Sequence, residues 1–133
     1  MLRNRFFIIC LLPVLLLLAG WREAPLVNPD PIAIPPKATS ADVTRIVKKA
    51  LVGRKWIVSE DTPGAIKATL LLRDHKARIA IDWDTKTIRI SYLDSENLNY
   101  VEKNGKKLIH QNYNSWINNL VVDISGELTL LGI

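Results

Sequence analysis

Three consecutive stretches of this chain alternate apolar and polar residues with a period of two, which restricts the folded part to a sheet with one apolar face. Ile66, Ala68, Leu70 and Leu72 fall on one side of the first stretch. Ala77, Ile79, Ile81 and Trp83 do so in the second, and Ile88, Ile90 and Tyr92 in the third. The links between them, Arg73 to Lys76 and Asp84 to Lys86, are hairpin-length, so neighbouring strands are expected to run antiparallel as a meander. A short strand from Trp56 to Glu60, closed by the Thr62-Pro63-Gly64 turn signal, precedes them. Asn104-Gly105 is a strong hairpin dipeptide that sets Val101 opposite Leu108 and Glu102 opposite Lys107.

An apolar sheet face needs a cover, and two helical patterns supply one. Thr39 followed by Asp42 reads as a capping box, and Val43, Ile46, Val47, Ala50 and Leu51 then recur on one helical stripe, with Gly53 as the terminator. Tyr113, Trp116, Ile117, Leu120 and Ile124 define a second helix from about Asn112 to Ser125, with Gly126 after it. Leu128 to Ile133 fits either an edge strand or a continuation of that helix. The expected fold over residues 39–133 is α+β: an antiparallel β-meander of about four strands plus a short hairpin, with an N-terminal and a C-terminal helix packed on one face.

Ahead of this domain lies a stretch of different character. Arg3 and Arg5 precede an almost unbroken apolar run from Phe6 to Leu18, followed by Ala19-Gly20, which is the anatomy of an export signal over residues 1–20. The run is short for a membrane-crossing helix and is interrupted by Pro13. Leu17-Leu18-Ala19-Gly20 reads like the opening of a lipobox, but the position that should hold the lipid-bearing cysteine is Trp21, which has no thiol to acylate. Loss of a lipid anchor, ordinary signal cleavage and retention as a short anchor all remain open. The single cysteine, Cys10, sits inside this run, so the rest of the chain has no thiol chemistry. Pro25, Pro29, Pro31, Pro35 and Pro36 mark residues 21–38 as an extended tether, with a reach of roughly 50 Å if free; an arm packed on the domain is the alternative.

Candidate functional residues are sparse. Alternation puts Lys67, Arg78 and Arg89 on the outward sheet face, where a basic stripe would suit an anionic surface polymer or an acidic envelope protein. The competing expectation is an ordinary solvated face. Without Arg3 and Arg5 the chain has 16 basic and 13 acidic residues, a modest excess that argues against nucleic acid as a partner. Tyr113 and Trp116, one turn apart, are core candidates first and a ligand platform second. His110 is expected to bond backbone near the start of the second helix, and His75 to be a solvated loop residue. No metal-protease, nucleophile-elbow or phosphate-loop motif is present, so no cofactor, metal site or catalytic residue is expected.

Ile109-His110-x-x-Tyr113-Asn114-x-Trp116-Ile117-x-Asn119-Leu120, taken with Ile90-Ser91-Tyr92-x-Asp94-Ser95-x-Asn97-Leu98, resembles a family of small, functionally uncharacterised bacterial lipoproteins and periplasmic proteins. The resemblance covers most of residues 41–124. It implies a location in the periplasm or outer envelope and an order of helix, meander, helix; it brings no activity. Trp21 departs from the cysteine common in that family. The expected function is therefore a noncatalytic binding or structural module of the cell envelope, with membrane association through the N-terminal segment and an oligomeric state left open. The alternative is a small periplasmic hydrolase or metal-dependent enzyme using His110 and His75.

Overall fold

A computed structural model describes residues 23–133; the leader and Trp21 lie outside the described residues. The chain runs β1 (Glu23–Pro25), β2 (Ile32–Ala33), α1 (Ser40–Gly53), β3 (Ile57–Thr62), β4 (Ala65–Leu72), β5 (His75–Trp83), β6 (Thr87–Glu96), β7 (Val101–Lys103), β8 (Lys106–His110) and α2 (Gln111–Gly132). Five strands in the order β2-β6-β5-β4-β3 form the main sheet, and β1-β8-β7 form a smaller one; every pairing is antiparallel. The α+β class and the two helices on one face follow the period-two and helical patterns described above.

Both helices lie on the inward face. Val43, Ile46, Val47, Ala50 and Leu51 of α1, with Tyr113, Ile117, Leu120, Ile124 and Leu128 of α2, join the inward residues of β4, β5 and β6 in one core. Ile79, Ile81, Ile88 and Leu120 are fully enclosed, each contributing about 1.5–3 kcal/mol of burial relative to exposure. Arg54 donates two hydrogen bonds, of 2.8 and 3.1 Å, to the Asp123 carboxylate, and Lys49 meets Glu127 at 3.3 Å, so charge as well as hydrocarbon joins the helices.

The ends of α1 show how local chemistry sets the frame. Thr39 Oγ1 accepts from the Asp42 amide at 3.1 Å while the Asp42 carboxylate accepts from the Thr39 amide at 2.9 Å, completing the capping box. At the other end Gly53 is not the left-handed residue. The amide of Lys55 donates to the Val52 carbonyl and that of Trp56 to the Leu51 carbonyl, a Schellman closure with Lys55, at φ 70°, in the place glycine usually takes. This closure delivers Trp56 into the core at 3% exposure, which is why β3 begins one residue later than alternation suggests.

One other expectation changes, and one open alternative is decided. Residues 23–38 do not stand off as a tether: β1 pairs with β8, β2 pairs with β6, and Ile32 and Ile34 are buried. Asn28 Oδ1 accepts from the Tyr92 amide and Asn114 Nδ2 donates to the Pro25 carbonyl, pinning the first part of the arm, and the Ile34 amide donates to the Lys86 carbonyl further along. Prolines that cannot form a central strand still suit these short edge pairings. Past Gly126 the helix continues to Gly132, because Leu128 extends the buried stripe.

The directions of the elements give the main sheet two distinct ends. The β4–β5 turn, the end of β6, the end of β8 and the first turns of α2 meet at one, called here the groove end. The β3–β4 and β5–β6 turns and the start of α1 meet at the other, the capped end.

Candidate functional site

At the groove end, β5 begins at His75 and α2 is capped by His110, and their rings come within 6.1 Å, centroid to centroid. The Trp116 ring lies 6.2 Å from His75. Beside them is a cleft of about 310 Å³ between the α1–β3 connection, the end of β4 and α2, lined by Lys55, Trp56, Leu71, Leu72, Trp116 and Asn119. Leu71 and Leu72 are 59% and 39% exposed, a considerable hydrocarbon exposure beside an aromatic wall.

The hydrogen bonds assign the two imidazole tautomers. His110 Nδ1 accepts from the Asn112 amide at 3.1 Å, so this nitrogen is unprotonated and the ring serves as the helix N-cap, the structural role its position suggests. His75 Nδ1 lies 2.7 Å from the Asn97 carbonyl oxygen, to which only a protonated Nδ1 can donate. Its side chain is 21% exposed, and Asn97 Nδ2 donates in turn to the Asp74 carbonyl. The expected solvated loop histidine is therefore a half-buried strand residue held by a reciprocal clamp, because the β6–β7 connection folds over it. Both Nδ1 atoms are committed to backbone, and each ring keeps only Nε2 free for a ligand. Among the described residues no three histidine or acidic side chains group as metal ligands.

The remaining candidates separate. Tyr113 is 2% exposed and packs edge-on against Tyr92 at 5.4 Å, and burial pushes its hydroxyl above the ordinary tyrosine value. It belongs to the core and shares no platform with Trp116. Lys67, Arg78 and Arg89 do not form a basic stripe. Lys67 stands opposite Ala80, Arg78 opposite Asp94 and Arg89 opposite Asp82, so they occupy three different rows. Each also meets acid: Lys67 with Glu60 at 3.6 Å, Arg78 with Asp94 at 3.3 Å, Arg89 with Asp82 at 3.2 Å. Alternation places a residue on a face; register decides its neighbours, and here the neighbours neutralise it.

What residue patterns alone missed is the contribution of Lys55, Trp56, Leu71 and Leu72. The one available signal was Leu71 following Leu70 out of phase with the alternation. No family model, curated protein or solved structure matches this chain.

Proposed function

We propose that this is an exported protein of the bacterial cell envelope whose domain is a noncatalytic binding module, engaging its partner through the groove end. The observation that carries the reading is the convergence there of Trp56, Trp116, His75 and exposed Leu71 and Leu72 on the end where the chain arrives from its apolar leader, Glu23 being paired with His110. The resemblance to small envelope lipoproteins supports the location. His110 Nδ1 is occupied as the helix cap, and among the described residues no third histidine or acidic side chain joins the two rings, so the cleft offers contact surface more than a catalytic constellation.

Fractionation of cells with intact-mass analysis tests the reading. The protein is expected in the envelope fraction; recovery of the full-length chain dissolved in the cytosol sinks it. The 6.1 Å approach of His75 and His110 favours a second reading, a small hydrolase or metal-dependent enzyme. That reading predicts a turnover that His110→Ala abolishes while the fold survives; on the binding-module reading there is no turnover to lose.

A further inference from the structure

We infer that the partner of the groove end is the surface of a lipid bilayer, into whose headgroup and acyl boundary Ile57, Leu71, Leu72 and Trp116 reach. This rests on the envelope location proposed above and adds that the leader stays attached. The first ground is the length of free chain. If residues 21–38 were a free tether, the domain could stand tens of ångströms from the membrane in any orientation. The structure removes that slack, because Glu23 is already paired with His110 and the arm is bonded along the domain. Only residues 19–22 separate the apolar run ending at Leu18 from Glu23, a span of less than about 20 Å even fully extended. A leader in lipid therefore holds the His110 side of the domain next to the headgroups.

The second ground is what that side presents. Ile57 is 56% exposed and Leu71 59%, on the strands that end there, with Leu72 beside them and Trp116 partly buried at the edge of the same cleft. Hydrocarbon flanked by an indole is the composition that settles at a membrane interface. Lys55 and Arg73 stand at the same end, and among the described residues neither meets a carboxylate, so both stems can lie along lipid with their charges at phosphate depth. Glu23 and Asp74 are there too, so the local charge is near balance and hydrocarbon, not counter-charge, provides the attraction.

The third ground is backbone conformation. Among the described residues five non-glycine residues have positive φ, and four of them, Lys55, Arg73, Asn97 and Asn99, are in the connections at the groove end. Lysine and arginine thus occupy two left-handed positions that glycine would take without strain, and they place cations there.

The test uses the full chain, with Cys10→Ser so that a new thiol is unique, reconstituted in phosphatidylcholine vesicles with brominated acyl chains. A fluorescent probe is attached at Leu71→Cys or, in a second sample, at Leu130→Cys. Leu130 is 66% exposed but lies near the capped end, so the two probes compare apolar surface at opposite ends of one molecule. Bromine quenching is expected to be several-fold stronger at residue 71 than at residue 130, and to persist in high salt. With Leu71→Asp and Leu72→Asp together, a probe at Val52→Cys is expected to lose its quenching while the melting temperature is kept. Equal quenching at 71 and 130, or deeper insertion at 130, overturns the docking. So does a native intact mass lacking residues 1–20, which removes the short leash but leaves the envelope reading standing. Recovery from the cytosol has the reverse effect, sinking the envelope reading without altering the vesicle result.

Discussion

The two ends of the main sheet solve the same problem, reversing the chain, by different chemistry. At the capped end the left-handed position of the Pro63-Gly64 turn is a glycine, at φ 76°. The Asp84 carboxylate accepts from the Lys86 and Thr87 amides at 2.8 Å each, Thr62 Oγ1 donates to the Ala65 carbonyl, and Thr39 with Asp42 closes the helix start. Short side chains there satisfy the backbone locally. At the groove end the left-handed positions are lysine, arginine and two asparagines, and Leu71 and Leu72 are exposed where β4 ends. One end is built for local stability. The other sets exposed Leu71 and Leu72 beside left-handed lysine and arginine, whereas the capped end, with Leu130 exposed as well, has glycine at its left-handed turn.

Substitutions can break this contrast, beginning with the largest expected effect. Trp56→Ala keeps the backbone bond to Leu51 but empties a buried indole volume and removes a wall of the cleft, and is expected to destabilise by about 3–5 kcal/mol in denaturant titration. Trp83→Phe at the capped end should cost less than Trp56→Ala, because Nε1 of Trp83 is buried without a hydrogen-bond partner among the described residues and a phenyl ring still fills most of the site. Equal losses would mean that the two tryptophans do the same work.

Glycine substitutions should have opposite signs at the two ends. Gly64→Ala forces a side chain into left-handed backbone, with its Cβ 3.3 Å from the Trp83 carbonyl oxygen, and is expected to cost about 1–2 kcal/mol. Lys55→Gly should instead raise stability by up to about 1 kcal/mol, since glycine suits the Schellman position, while weakening vesicle insertion. A thermal melt paired with the residue 71 probe reads both quantities. A Lys55→Gly chain that is less stable would show that left-handed lysine is no compromise.

Acid should release backbone amides first at the capped end, where carboxylates hold them directly; Asp123, held low by the Arg54 guanidinium at the other end of α1, bonds a side chain instead. The Asp42 carboxyl is held below its ordinary value of 3.8 first by the Thr39 amide, and Asp84 by the Thr87 and Lys86 amides. A lowered folded pKa contributes stability that is complete above about 3.8 and is lost as pH falls through the depressed values. On acidification the Lys86 and Thr87 amides are therefore expected to lose hydrogen-exchange protection before those of Lys55 and Trp56. This is the smallest of the effects, and Asp84→Asn should flatten it.

Residues close in sequence made much of the fold legible, because hydrophobic period, cap chemistry and turn dipeptides are properties of neighbours a few positions apart. Thr39 with Asp42, the alternation of Ile79 and Ile81, and Asn104-Gly105 are of this kind, and the sheet with its two covering helices followed from them. The candidate site was legible only in part. His110 announced itself as a helix start, whereas the clamp on His75 depends on Asn97, 22 positions away. Lys67, Arg78 and Arg89 were placed on the correct face, but their carboxylate partners come from strand register and a bulge between Arg78 and Ile79.

The pattern of apolar residues by itself determined which faces are buried, since burial follows from how each side chain partitions against water. Tertiary structure alone decided which residues meet at the groove end and that the proline-rich arm is bound down, because both depend on contacts between segments far apart in the chain. Local spacing carries no information about which distant segments will pair.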